Sequence, residues 1–141
     1  INLSNMVLTP HSVEFARLSH LDIDEIESDR IAVAKSFAKK HKCILVLKGH
    51  YTVIALPDGR CYVNKFGNSG LAKGGSGDVL AGYIGGLLAQ GYKPDAAAII
   101  GVFFHGLASI YLTQNEFEES DVLPSNLIEI IGKRDLLIET I

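Results

Sequence analysis

Asp78 stands directly behind Gly74-Gly75-Ser76-Gly77, and an apolar helical pattern follows it. Glycine costs roughly 0.5–1 kcal/mol in an element interior, yet nine of the 14 glycines fall in the 25 residues 67–91. Such crowding needs a reason. The spacing predicts a loop over 67–77 and a helix over 78–90, stopped by Gly91. The free amides at a helix start point outward, and the dipole adds about half a positive charge. Without Cβ atoms an anion can approach that backbone closely. Gly75, Ser76 and Gly77 are therefore expected to form an anion hole suited to phosphate. Asp78, in the first helical turn beside it, is placed to take a proton from an acceptor hydroxyl. That is the chemistry of phosphoryl transfer, where positioning, charge stabilisation and a base do the work.

Two rival phosphate motifs are excluded. No Gly-Lys-Ser/Thr triplet follows the glycines, so this is not a Walker loop. A dinucleotide fingerprint starting at Gly75 fails, because its sixth position is Leu80. Lys73, in the loop ahead of the hole, is a candidate for screening phosphate charge. Gly82, Gly85 and Gly86 carry no chemistry and are expected to allow close helix packing.

Around this cluster the pattern predicts alternating strands and helices. A short strand over 6–8 ends at Thr9-Pro10, and a weak helix follows over 11–18. Residues 28–42 read as a helix with Ser28 as N-cap, an inner face of Ile31, Ala34, Phe37 and Ala38, and Lys and Arg on the other face. Residues 43–47 read as a strand buried on both faces. Strands over 51–56 and 60–65 form a hairpin about Pro57-Asp58-Gly59. Pro94 opens a helix to about 113, and a polar loop covers 114–121. A last helix starts at Pro124-Ser125-Asn126, with 135–141 prolonging it past Gly132. The class is α/β with a mostly parallel sheet.

Composition limits the possible functions. The chain has 141 residues, 48% hydrophobic and 21% charged, enough for one packed core and unlike a disordered segment. A net charge of −3 lacks the basic footprint of a nucleic-acid binder. The most apolar stretch, 96–108, is shorter than a membrane span and contains His105. Cys43 and Cys61 form neither a disulfide framework nor a zinc pattern. They read as buried thiols in a reducing, cytoplasmic compartment. The chain opens on Ile1-Asn2-Leu3-Ser4 with no signal-peptide pattern, as a fragment or processed product would.

Residues 67–82, Gly-Asn-Ser-Gly-Leu-Ala-Lys-Gly-Gly-Ser-Gly-Asp-Val-Leu-Ala-Gly, closely resemble the signature of the ADP/ATP-dependent NAD(P)H-hydrate dehydratases of the ribokinase-like superfamily. Thr9-Pro10-His11-Ser12-Val13-Glu14 is similar to that family's Thr-Pro-His-x-x-Glu segment. Lys48-Gly49-His50-Tyr51-Thr52 is similar to its Lys-Gly-x-x-Thr segment, and the Pro-Asp-Gly hairpin also fits. Ser69 stands where the family usually has Pro, and Ser12-Val13 where it often has Pro-Gly. The resemblance implies a three-layer α/β/α fold, of which this single domain over 1–141 would be the C-terminal portion, incomplete at its N-terminus. It implies an activity: phosphorylation of the C6 hydroxyl of hydrated NADH or NADPH, then loss of phosphate. Asp78 would be the catalytic aspartate and would also contact the substrate hydroxyl. Gly75, Ser76 and Gly77 would be the anion hole. Lys48, Gly49, His50, Tyr51, Thr52 and Gly77 would hold ADP or ATP, with Mg2+ on its phosphates, although no carboxylate cluster nominates a metal ligand. His11 would lie near the hydrated nicotinamide. An open sheet edge and the habit of relatives point to a homo-oligomer.

Structural roles stay open for the same residues. Asp78 could be a simple N-terminal helix acid, Lys48 a solvated charge, Thr52 strand filling, His11 a helix cap, Glu14 an orienting group, and His105 a satisfied core histidine. Two other functions also stay open: a kinase of some other small alcohol, and a nucleotide-binding module without turnover.

Overall fold

The apolar run at 43–47 becomes an inner strand of a four-stranded sheet. The computed structural model describes residues 2–141. Its strands are β1 (Val7–Leu8), β2 (Ile44–Leu47), β3 (Thr52–Ala55) and β4 (Cys61–Asn64), in the spatial order β1-β2-β3-β4. β1 and β2 run parallel, whereas β2–β3 and β3–β4 are antiparallel. The sheet is therefore mixed rather than mostly parallel. Only residues 48–51 join β2 to β3, and a parallel return needs a crossover of about a dozen residues.

Strand alternation sorts the side chains onto two faces. Cys43, Leu45, Leu47, Val53 and Ala55 pack with Phe15, Ile26, Ala34 and Phe37. Ile44, Val46, Ile54 and Leu56 pack on the other face with Leu80, Ile84, Leu87 and Ala98. Both faces are covered by helices, which gives the α/β/α layering. The first layer holds α1 (Ser12–Ser19), α2 (Ile23–Ser28) and α3 (Arg30–His41); the second holds α4 (Ser76–Ala89) and α5 (Pro94–Asn115). Two further helices, α6 (Pro124–Ile131) and α7 (Arg134–Ile138), close a third cluster against α5. Cys43 is buried and Cys61, on the edge strand, only partly so.

Several elements differ from the sequence reading for local reasons. Residues 23–28 form a separate helix, α2, and Ser28 ends it. The N-cap of α3 is Asp29, whose carboxylate accepts the Ala32 amide at 2.9 Å. Ile31, in the first turn, opens on a groove and is 45% exposed, while Ala34, Phe37 and Ala38 are buried. α4 begins at Ser76, two residues before Asp78. Lys133 leaves helical geometry, so α7 is a separate helix and not a continuation of α6. The guanidinium of Arg134 fastens α7. It donates to Tyr83 Oη at 3.0 Å and Tyr92 Oη at 3.2 Å, and lies 5.6 Å over the Phe104 ring.

α5 is longer than the apolar stretch that marked it and is long and apolar enough to cross a bilayer. Here 61% of its most apolar window is buried inside the protein, which makes it the spine of the core. Glycine permits close approach at two places along it. A Cβ on Gly101 would lie 2.5 Å from Ile84 Cγ1 of α4, and one on Gly106 would overlap the Phe66 carbonyl. Gly82, Gly85 and Gly86 do not serve close packing, because a Cβ on any of them meets nothing within 4 Å. Gly106→Ala should therefore destabilise the protein by about 1–3 kcal/mol through overpacking. Gly82→Ala should stabilise it by about 0.5–1 kcal/mol by removing helical glycine entropy. Urea unfolding midpoints of the two variants, shifting in opposite directions, check both.

Candidate active site

Three segments meet at the carboxyl ends of β1 and β2. Beyond β1 the chain turns at Pro10 into α1, which is closed by a reciprocal cap. His11 Nδ1 accepts the Glu14 amide at 3.3 Å, and Glu14 Oε2 accepts the His11 amide at 2.8 Å. His11 thus fills the capping role left open for it, yet its ring remains half exposed. Beyond β2, the Lys48 amide donates to the Pro10 carbonyl at 2.9 Å, and His11 and Lys48 form a parallel bridge. The first two motif segments are therefore neighbours.

The third segment is the glycine turn. Gly75 is the N-cap of α4 at φ +95°, in the left-handed region where a side chain is strained. Ser76 is buried, and its hydroxyl donates to the Leu71 carbonyl at 2.6 Å. The Ser76 amide reaches the Lys73 carbonyl, and the Asp78 amide reaches the Gly75 carbonyl. Among the described residues, the amides of Gly75 and Gly77 have no such backbone partner. Ser76 bolts the hole in place more than it lines it. Asp78 is exposed in the first turn of α4.

Lys48 joins the second segment to the third. A Cβ on Gly77 would lie 2.7 Å from Lys48 Nζ, so the ammonium rests on the bare glycine backbone. It stands at the positive end of the α4 dipole. Among the described residues only Glu14 Oε2, at 3.9 Å, is paired with it. A partly exposed pair of that length is worth at most about 1 kcal/mol. Positive potential is thus concentrated at Gly77 and weakly compensated. Lys73 contributes its carbonyl as a cap for Ser76, and the ammonium that rests on Gly77 is that of Lys48.

The remainder of the Lys48–Thr52 segment faces elsewhere. His50 and Tyr51 stack at 4.5 Å between centroids and line a groove of about 520 Å³ with Ser12, Arg30, Ile31 and Val63. Thr52 opens β3 opposite Asn64. Among the described residues, no group of three or more His, Cys, Asp or Glu side chains could hold a metal ion.

Two supports of the site were not singled out from the sequence. The Asn68 carboxamide accepts the Gly70 amide at 3.1 Å and donates to Thr113 Oγ1 at 2.9 Å, tying the glycine loop to α5. The Ser69 hydroxyl bonds the Glu119 carboxylate. His105 is the satisfied core histidine that its apolar helix suggests, and its partner is informative. Its Nε2 lies 3.0 Å from the Ser76 carbonyl. Burial pushes the imidazole down to about 4, against the opposing pull of the Ser76 bond and with help from Lys48. The ring is neutral at pH 7, so Nε2 donates its hydrogen to Ser76 and holds the first turn of α4 from behind.

A family model described as NAD(P)H-hydrate dehydratase matches residues 2–133. The bifunctional NAD(P)H-hydrate repair enzyme Nnr of Moorella thermoacetica is 50% identical over 103 residues, 73% of this chain and 19% of that protein. The ADP-dependent (S)-NAD(P)H-hydrate dehydratase of Bacillus subtilis is 40% identical over 126 residues, 84% of this chain and 46% of that protein. The crystal structure of ADP/ATP-dependent NAD(P)H-hydrate dehydratase from Bacillus subtilis, co-crystallised with ATP/Mg2+, superposes with a TM-score of 0.88 at 36% identity, over 94% of this chain and 48% of that one. The shared fold is ribokinase-like. The chain spans half or less of these relatives.

His105 makes stability depend on pH. Its folded value lies below the ordinary 6.5, so between about pH 6.5 and 4 the unfolded chain binds a proton that the native state refuses. Its contribution is complete above pH 6.5 and falls by on the order of 3 kcal/mol as the pH drops to 4. His105→Gln should flatten that part of the stability curve, measured by urea unfolding at several pH values.

Proposed function

Since the chain belongs to the NAD(P)H-hydrate dehydratase family, we propose that its site transfers a phosphoryl group from ADP or ATP to the C6 hydroxyl of hydrated NADH or NADPH. Loss of phosphate then regenerates the reduced cofactor. The observation that carries the reading is Lys48 Nζ resting on Gly77, at the positive end of α4 and one residue from Asp78. A bare helix start takes phosphate oxygens on its amides. Lys48 adds a mobile point charge for the transferring group.

Each residue has a defined task. The Gly75 and Gly77 amides and Lys48 hold the phosphate that moves, and stabilise charge on its equatorial oxygens. Asp78 accepts the proton of the C6 hydroxyl as that oxygen bonds phosphorus and the bond to the leaving nucleotide breaks. The ring nitrogen lone pair then expels phosphate from C6, and loss of a C5 proton restores the double bond. Atoms balance: hydrate and ATP give reduced cofactor, ADP, phosphate and one proton, since of the protons given up at the hydroxyl and at C5 one ends on phosphate and one in solvent; with ADP as donor the nucleotide product is AMP. Hydroxide is a poor leaving group and phosphate a good one, which explains a kinase-like site in a lyase. His11, beside Lys48, would face the hydrated ring. Mg2+ would neutralise the nucleotide phosphates and would be held by them, since among the described residues no group of three or more His, Cys, Asp or Glu could hold it.

The test incubates the protein with hydrated NADH and ADP or ATP. Recovery of the reduced-nicotinamide absorbance with release of phosphate supports the reading. Consumption of nucleotide with a different alcohol and no recovery would point to a plain kinase. Asp78→Asn should lower kcat by about 100-fold or more and keep nucleotide affinity within a few-fold; near-full turnover would remove the proposed base.

A further inference from the structure

Arg30 is the basic residue that the helical pattern assigns to a solvated face, yet only 17% of its side chain is exposed. Its guanidinium spans three segments. Nη1 donates to Ser12 Oγ at 2.9 Å and to Glu27 Oε1 at 2.7 Å. Nη2 donates to the Leu47 carbonyl at 3.1 Å and the Lys48 carbonyl at 3.0 Å. Ser12 Oγ in turn donates to the same Glu27 oxygen at 2.5 Å, which closes a triangle around Nη1. The guanidinium lies flat on Gly49: a Cβ there would come within 2.5 Å of Nη2. Gly49 is thus bare because Arg30 occupies its face.

This arrangement clamps Lys48 from two sides. Its amide is tied to the Pro10 carbonyl and its carbonyl to Arg30, so its Cα is fixed where the side chain reaches Gly77. The guanidinium matters, because a lysine ammonium has three donors and could not serve two successive carbonyls, a hydroxyl and a carboxylate at once. We propose that Arg30 is a positioning residue for Lys48: it sets the place of the ammonium at the anion hole by holding the end of β2. The inference rests on the nucleotide reading for its consequence, but the linkage from Arg30 through Lys48 to Gly77 stands on geometry alone.

The test separates the two. Amide spectra of the 15N-labelled protein are recorded for the wild type, Arg30→Met, Arg30→Lys, Lys48→Met and the Arg30→Met/Lys48→Met double variant. ADP with magnesium is then titrated into each, and thermal unfolding reports folding. Arg30→Met should shift the Gly77 amide resonance, and should leave it unmoved when Lys48 is already Met. ADP affinity should fall about tenfold in Arg30→Met and in Lys48→Met, and no further in the double variant. Arg30→Lys, which keeps the charge and loses the fork, should match Arg30→Met in affinity while staying folded. Losses that add in the double variant, a Gly77 resonance indifferent to Arg30, or wild-type affinity in Arg30→Lys would overturn the proposal. If the wild type takes no ADP while the Lys48-dependent shift persists, the positioning role stands and the nucleotide reading falls.

Discussion

An anion hole made of backbone must be held still, because amides that can turn inward will find a carbonyl. The constraint on which this site depends is the grip on the first turn of α4. Ser76 supplies it twice, through its hydroxyl to Leu71 and through its carbonyl to His105. A buried imidazole that remains neutral is a dependable donor, and low dielectric strengthens the bond it makes. The rest follows in order. α5 must run close enough to present His105, which requires Gly101 against Ile84 and Gly106 against the 66–67 loop. That loop must in turn be tied to α5, which Asn68 does through Thr113.

The opposite wall is built by different means. Strand ends, not a helix, deliver His11 and Lys48, and the parallel pairing of β1 with β2 makes them neighbours. Binding sites at the carboxyl ends of parallel strands are a general result of α/β architecture. Only one parallel pair is needed here, so the antiparallel remainder of the sheet is free to form a hairpin that buries Val53, Ile54 and Ala55.

Local chemistry in the sequence made the site legible. A glycine run, a helix start and an acid are contiguous, so Gly75, Ser76, Gly77 and Asp78 could be read together. Lys48 and His11 came from their motif segments. Arg30 could not be read this way. A single arginine at a helix start resembles any solvated charge, and its role depends on carbonyls that the fold brings to it from 47 and 48. Ile31 shares the stripe of Ala34 and Ala38, but it lies in the first turn of α3 and opens on the groove, a position that periodicity alone does not show. The division of the Lys48–Thr52 segment, with Lys48 over the glycines and His50 and Tyr51 in the groove, reflects the turn between two antiparallel strands, which a linear motif does not describe. Strand direction is legible in part: Pro57-Asp58-Gly59 marks the antiparallel β3–β4 hairpin, and the four residues between β2 and β3 are too few for a parallel return.

Glu14 binds in two directions with one carboxylate. One oxygen accepts the His11 amide and stands 3.9 Å from Lys48, and the other faces the His11 ring at 3.4 Å. When an incoming anion draws the ammonium away, Glu14 keeps its main-chain partner, so the start of α1 remains fastened. The fastening of the α1 start is therefore independent of where the Lys48 ammonium points.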